Sequence, residues 1–260
     1  METVPHGYLG LLLALGVGLV LGLLGGGGSI LAVPIFLYVF RIPPQPAIAM
    51  SLAVVGMSAG VGFMTHWRQG TVHLRIAVPF GALAMVGAFF TARVAHHVPD
   101  AWRLRLFIAF AFTAALFMLR DSVRSGANVS EGEGIPGGFS PLLGVQALAV
   151  GALTSLIGAG GGFLIVPALV FLARVPLKAA VGSSLLIIAM NALSGFAGYV
   201  GRVPIHWTLV GSFTGVAAVG AVLGTRLVPH VPQRRIKQGF AVMILVLGSL
   251  EIARRLRWIG

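Results

Sequence analysis

The chain's most constraining feature is a pattern that occurs twice. Segment 23–34 reads LLGGGGSILAVP, and segment 156–167 reads LIGAGGGFLIVP. Pro34 plus 133 gives Pro167, and the same offset runs without a gap for about 100 residues. It pairs Arg41-Ile42-Pro43 with Arg174-Val175-Pro176, Ser51-Leu52 with Ser184-Leu185, and Gly62-Phe63 with Gly195-Phe196. Further on it pairs His73 with His206, Arg93 with Arg226, Pro99 with Pro232 and Phe107 with Phe240. Chance likeness among apolar helices drifts in register, and this pattern does not.

Each copy opens with an apolar run broken by glycines, 7–24 then 29–40, and 141–157 then 162–173. Three further apolar spans follow in each copy: 46–66, 72–95 and 101–120, then 179–200, 205–228 and 234–257. Runs of about 17 residues or more are long enough to cross the roughly 30 Å hydrocarbon layer as helices. The composition agrees: 57% of the 260 residues are hydrophobic and 9% are charged, against about a quarter charged in soluble domains. The expected fold is an all-α membrane protein, a polytopic helical bundle of two homologous repeats. Residues 1–120 form the first repeat and 141–260 the second. Between them, 121–140 (DSVRSGANVSEGEGIPGGFS) is polar, Gly/Ser-rich and reads as a solvated linker.

The net charge is +12, from 18 basic and 6 acidic residues. The basic residues sit at the ends of apolar runs, where Lys and Arg snorkel to the lipid surface and set topology. Nucleic acid is therefore not an expected partner; the lipid bilayer is. Cysteine is absent, so no disulfide or thiolate metal site enters. The first 24 residues lack the basic start of a signal peptide and run into the repeated glycine cluster, so they read as a retained first span.

Repeat orientation depends on the broken segment. If it crosses fully, each repeat has four spans and the halves are parallel. If it enters and returns as a hairpin, each repeat crosses three times and the halves are inverted. Lys and Arg divide almost evenly between the two sides in either case, which suits an inverted pair better.

The glycine clusters carry the functional reading. Gly25, Gly26, Gly27 and Gly28, then Gly158, Gly160, Gly161 and Gly162, interrupt helices at membrane depth. Broken backbone there is tolerated only against protein or a wet cavity, because unpaired polar groups in lipid cost several kcal/mol. After each cluster a new helix starts, with Ser29 a candidate cap. Helix starts present free N–H groups and the positive end of the macrodipole, which attract anions. Two such half-helices facing each other could hold one anion near the midplane. The alternative is close helix packing, the role expected for Gly18/Gly22, Gly56/Gly60, Gly211/Gly215 and Gly220/Gly224.

Polar residues in the second span of each copy are the next candidates. Ser51, Ser58 and His66 correspond to Ser184, Asn191 and Tyr199, and Ser183 adds a hydroxyl. Ser184 and Asn191 are seven residues apart, hence on one helix face, as are Ser51 and Ser58. These groups are candidate substrate ligands or interhelical bonds; His66 and Tyr199 are candidates for gating or proton linkage. No span interior carries a carboxylate, which argues against a buried acid relay and against a cation as substrate. No histidine has the carboxylate spacing of a metalloenzyme, and Ser51 and Ser184 have no base within a helical turn. An enzyme, a metal site and a cofactor are thus not expected.

At these residues the chain resembles the TauE/SafE family of anion permeases, the sulfite exporter or sulfonate uptake permeases. The family's G-x-G-G-G-x-[LI]-x-V-P pattern stands at Gly158 to Pro167, and again at Gly25 to Pro34 with Ser29 replacing the final glycine. Its second-span pattern stands at Val181-Gly182-Ser183-Ser184-Leu185, then Asn191-Ala192 and Gly195; Ala49-Met50-Ser51-Leu52 is the looser first copy. Relatives often carry Asp-Trp after the following loop, where this chain has His206-Trp207 and His73-Leu74. The resemblance implies transport of sulfite or an organosulfonate such as sulfoacetate across a bacterial inner membrane. It also implies coupling to an ion gradient, H+ or Na+. A secondary carrier working by alternating access is the first reading. An anion channel with the same site and a non-transporting membrane scaffold are the alternatives. Import or export, and oligomeric state, stay open in the sequence.

Overall fold

The computed structural model describes residues 7–24, 28–70, 72–99, 141–158 and 177–227, with residues 102, 105, 106, 109, 165, 166, 169 and 175. The expected spans 101–120 and 234–257 and the linker 121–140 lie almost wholly outside the described residues. Among those described, the chain is helical without strands: α1 (Gly7–Leu24), α2 (Ser29–Pro34), α3 (Pro44–Arg68), α4 (Leu74–Val94), α5 (Pro141–Ile157), α6 (Leu177–Tyr199) and α7 (Trp207–Leu227). The helices α3 and α4, residues Ala179–Tyr199 of α6, and α7 are each long and apolar enough to cross a membrane. Large apolar side chains, among them Leu12, Val86, Phe90, Val219 and Leu223, lie exposed on the outer helices. In water such a surface would be a liability; here it is the lipid face. The protein is a helical membrane protein.

The first break reverses the chain. A Cβ built on Gly28 would strike the carbonyl oxygen of Val17 and lie 2.6 Å from the Leu21 nitrogen, so the start of α2 rests on the side of α1. Twelve residues on, the Phe40 ring packs on Gly10 near the start of α1. The α1–α2 segment is therefore a hairpin. Pro34 has no N–H, and beyond it the helix widens into an i→i+5 turn over Ile35–Val39. Arg41, with φ +52°, then swings the chain toward α3, and Pro44 opens that helix at a position where a missing donor is harmless. The Ile42 N–H closes this corner on the Phe36 carbonyl at 3.0 Å. The same bond recurs from Val175 to Leu169, also at 3.0 Å and at the same offset of 133.

Small residues set the helix registers. On α1 and α7, Gly18 faces Ala217, Gly22 faces Ala221 and Thr225, and Gly224 faces Leu19 and Leu23. Positions rise together, so these helices run parallel, with backbones in contact as small-residue interfaces allow. On α3 and α6 they run opposite: Gly56 faces Leu193, Gly60 faces Ala189, and Gly62 faces Leu185. The pair α4 and α6 is parallel, with Gly81 against Met190 and Gly198 against Phe89 and Ala92. The Ser194 hydroxyl, donating to the Met85 carbonyl at 2.9 Å, fixes that register. Gly211 and Gly215, expected to pack, meet nothing within 4 Å. They lie on exposed turns of α7. The central helices α3 and α6 are the most buried of the four long spans, through side chains that include Met50, Leu52, Val54, Leu185, Ile187 and Ile188.

Candidate functional site

The site assembles where α1, α3, α5 and α6 approach the two breaks. Gly25, Gly26, Gly27, Gly160, Gly161 and Gly162 lie outside the described residues; Gly28 and Gly158 are the described members of the two clusters. Ser29 does not cap α2. Gly28 occupies the N-cap position with no side-chain cap, and Ser29 is the first helical residue, fully buried.

Gly158 ends α5. Its φ of +79° is a left-handed conformation that costs other residues about 1–2 kcal/mol. Its N–H donates to the Thr154 carbonyl at 2.8 Å. Its carbonyl accepts the Ser51 hydroxyl at 2.9 Å. A Cβ at Gly158 would lie 2.8 Å from Ser51 Oγ, 2.8 Å from Val33 Cγ2 and 3.0 Å from the Ile48 Cα. Val33 belongs to α2, the helix opened by the first break. Ser51 and Ile48 belong to α3, the next one. The second break is thus seated on the two elements that follow the first.

The second-span residues divide into several groups. The one Ser51 hydroxyl proton is shared between the Gly158 carbonyl and the Ile48 carbonyl of its own helix, the latter at 2.8 Å, and Ser184 turns back on its helix, donating to the Val181 carbonyl at 2.7 Å. Ser183 accepts the His73 N–H at 2.9 Å, which ties it to the α3–α4 loop. Tyr199 donates to the Ser155 carbonyl on α5 at 3.2 Å. His66 makes the matching contact in the first half, a hydrogen bond to the backbone of Gly22 on α1, at the position that corresponds to Ser155. Both therefore latch a second-span helix onto the helix preceding a break.

Asn191 is 1% exposed and donates through Nδ2 to Thr154 Oγ1 at 2.6 Å. The Thr154 hydroxyl in turn donates to the Gly151 carbonyl at 3.1 Å. Asn191 Oδ1, Ser155 Oγ and Ser58 Oγ are buried with no hydrogen-bond partner. Gly195, one turn from Asn191, lies against Ser155, since a Cβ there would fall 2.9 Å from Ser155 Oγ. Thr154 and Ser155 were not among the sequence candidates. The signal was present at the repeat offset: they replace Leu21 and Gly22, two hydroxyls where the first copy is apolar. Orphaned polar atoms at this depth mark a ligand or water site more often than a packing device.

The model of the sulfite exporter TauE/SafE family matches residues 10–250. A probable membrane transporter protein of Xylella fastidiosa (strain Temecula1) is 37% identical over 244 residues, covering 92% of each chain. The probable membrane transporter protein YdhB of Bacillus subtilis is 24% identical over 236 residues, covering 90% of this chain and 95% of its own. A probable membrane transporter protein of Methanocaldococcus jannaschii is 28% identical over 194 residues, 71% of this chain and 70% of its own. No solved structure matches.

Proposed function

This chain belongs to the sulfite exporter TauE/SafE family of membrane transporters, which are not enzymes, and from that premise we propose a secondary carrier for a small sulfur oxyanion. Sulfite or an organosulfonate such as sulfoacetate is the substrate class, and a bacterial inner membrane the setting. The anion is held between the two glycine breaks, with Gly25 to Ser29 on one side and Gly158 to Gly162 on the other. One observation carries this reading: the Gly158 carbonyl is held by Ser51, and Gly158 itself packs on Val33 just beyond the first break. The described end of the second break thus rests on α2 and α3, the helices that follow the first break, which supports a site shared between the halves. Opposed half-helix starts would offer N–H groups to three sulfonate or sulfite oxygens.

Inverted repeats supply the movement. The helices α3 and α6 correspond at the offset of 133 and pack antiparallel. The α1–α2 hairpin returns the chain to the side it entered from, and a like hairpin in the second half would give three crossings per repeat. Rocking one half against the other around the breaks would expose the anion to each side in turn.

The test is thermal melting of the purified protein in detergent against sulfite, sulfoacetate, sulfate, thiosulfate, a carboxylate and chloride. A saturating rise in melting temperature with sulfite or sulfoacetate, absent with chloride, supports the reading. Gly161→Leu should remove that rise while the protein still inserts in the membrane. A response confined to the carboxylate, or undiminished in Gly161→Leu, refutes it.

A further inference from the structure

The charge sense of the α5–α6 cluster is wrong for an anion. Three donors around it are engaged within the protein: the Thr154 hydroxyl with Gly151, one Nδ2 hydrogen of Asn191 with Thr154, and the Tyr199 hydroxyl with the Ser155 carbonyl. The Thr154 hydroxyl proton is directed at Gly151, so Asn191 must present Nδ2 to Thr154 Oγ1. That fixes the amide orientation and leaves Oδ1, a pure acceptor, without a partner. Ser155 Oγ, also fully buried and unpartnered, lies across the same contact beside Gly195. The cluster sits in the last turn of α5, where the helix dipole is negative and favours a cation. It contains no carboxylate, so a divalent ion would face a large uncompensated desolvation cost. Neutral oxygens at a helix C-terminal end beside unwound backbone are the setting in which carriers bind sodium.

We propose that Asn191 Oδ1 and Ser155 Oγ are ligands of a sodium ion held against the C-terminal turn of α5, next to Gly158. Among the described residues the first half does not repeat the cluster. Its corresponding positions are Leu21, Gly22 and Ser58, a single hydroxyl in place of the polar cluster. The neighbour of this ion is the backbone that the substrate reading assigns to the anion. That role in coupling rests on the carrier reading; the cation site itself does not.

The experiment is melting of the full chain in detergent, with NaCl replacing choline chloride at constant ionic strength and no sulfur anion present. Melting temperature should rise and saturate with sodium, at unchanged chloride. Ser155→Ala and Asn191→Leu should each weaken the apparent sodium affinity about tenfold or more, the loss of one oxygen ligand to a charge. Asn191→Asp should strengthen it by adding a negative charge, a reading that survives if Asn191→Leu does not fold. Identical melting in sodium and choline assigns the orphan oxygens to water and overturns the proposal. So does a sodium response unmoved by both Ser155→Ala and Asn191→Asp. Sulfite titration of the same preparations separates the two readings, because loss of the sodium response with intact sulfite stabilisation leaves the carrier standing.

Discussion

The contact between a break-bearing helix and the second-span helix is built twice, and the two versions differ in polarity. In the second half, α5 offers Thr154 and Ser155 to Asn191 and Tyr199. In the first, the corresponding positions on α1 are Leu21 and Gly22, and His66 bonds the Gly22 backbone while the Ser58 hydroxyl has no partner. The latch at Tyr199 or His66 is kept in both, while the orphaned amide and hydroxyl are concentrated in one. A shared backbone frame thus supports two different chemistries. The proposed anion site draws on that frame from both halves, and the proposed cation site on the polar side chains of one.

Changes at the breaks should have the largest effects. Gly158→Ala must adopt a left-handed backbone, at about 1–2 kcal/mol, and also crowd Ser51 and Val33, at about 1–3 kcal/mol. Its melting temperature should fall furthest, and substrate response should go with it. Gly28→Ala meets only crowding against Val17 and Leu21, about 1–3 kcal/mol, so thermal melting should place it second. If Gly28→Ala melts lower than Gly158→Ala, the two breaks are not ranked by backbone strain.

The serine pair sharpens the comparison. Ser51→Ala loses the bond to Gly158 and leaves a buried carbonyl bare, a cost of about 1–3 kcal/mol. Tyr199→Phe should cost about 1 kcal/mol for its neutral bond to the Ser155 carbonyl. Ser58→Ala is the smallest effect: a buried hydroxyl without a partner disappears, so stability should be unchanged or rise by up to about 1 kcal/mol. A marked loss in Ser58→Ala would show that the first half also holds a ligand or water there.

The membrane character and the offset of 133 were legible because apolar runs and a gapless register are one-dimensional signals. The direction of the chain after Gly28 was not. A glycine run permits a turn without stating its angle, and only the approach of Gly28 to Val17 and Leu21 reveals the hairpin. Ser29 looked like a cap because serine favours that role, but the close fit against α1 puts glycine there instead. Ser183 looked like a neighbour of Ser184, yet one helical step turns it to the His73 loop. Thr154 and Ser155 were missed because two hydroxyls in an apolar helix usually bond back to their own turn, as Thr154 does. Their value appears only beside Asn191.

Sulfite counterflow in proteoliposomes bears most directly on the central claim. The protein is reconstituted with sulfite inside, and entry of labelled sulfite is followed as its outside concentration is raised. A carrier with one site between the breaks predicts saturable entry that is accelerated by sulfite on the far side. Entry that rises without saturation and follows only the membrane potential would contradict it.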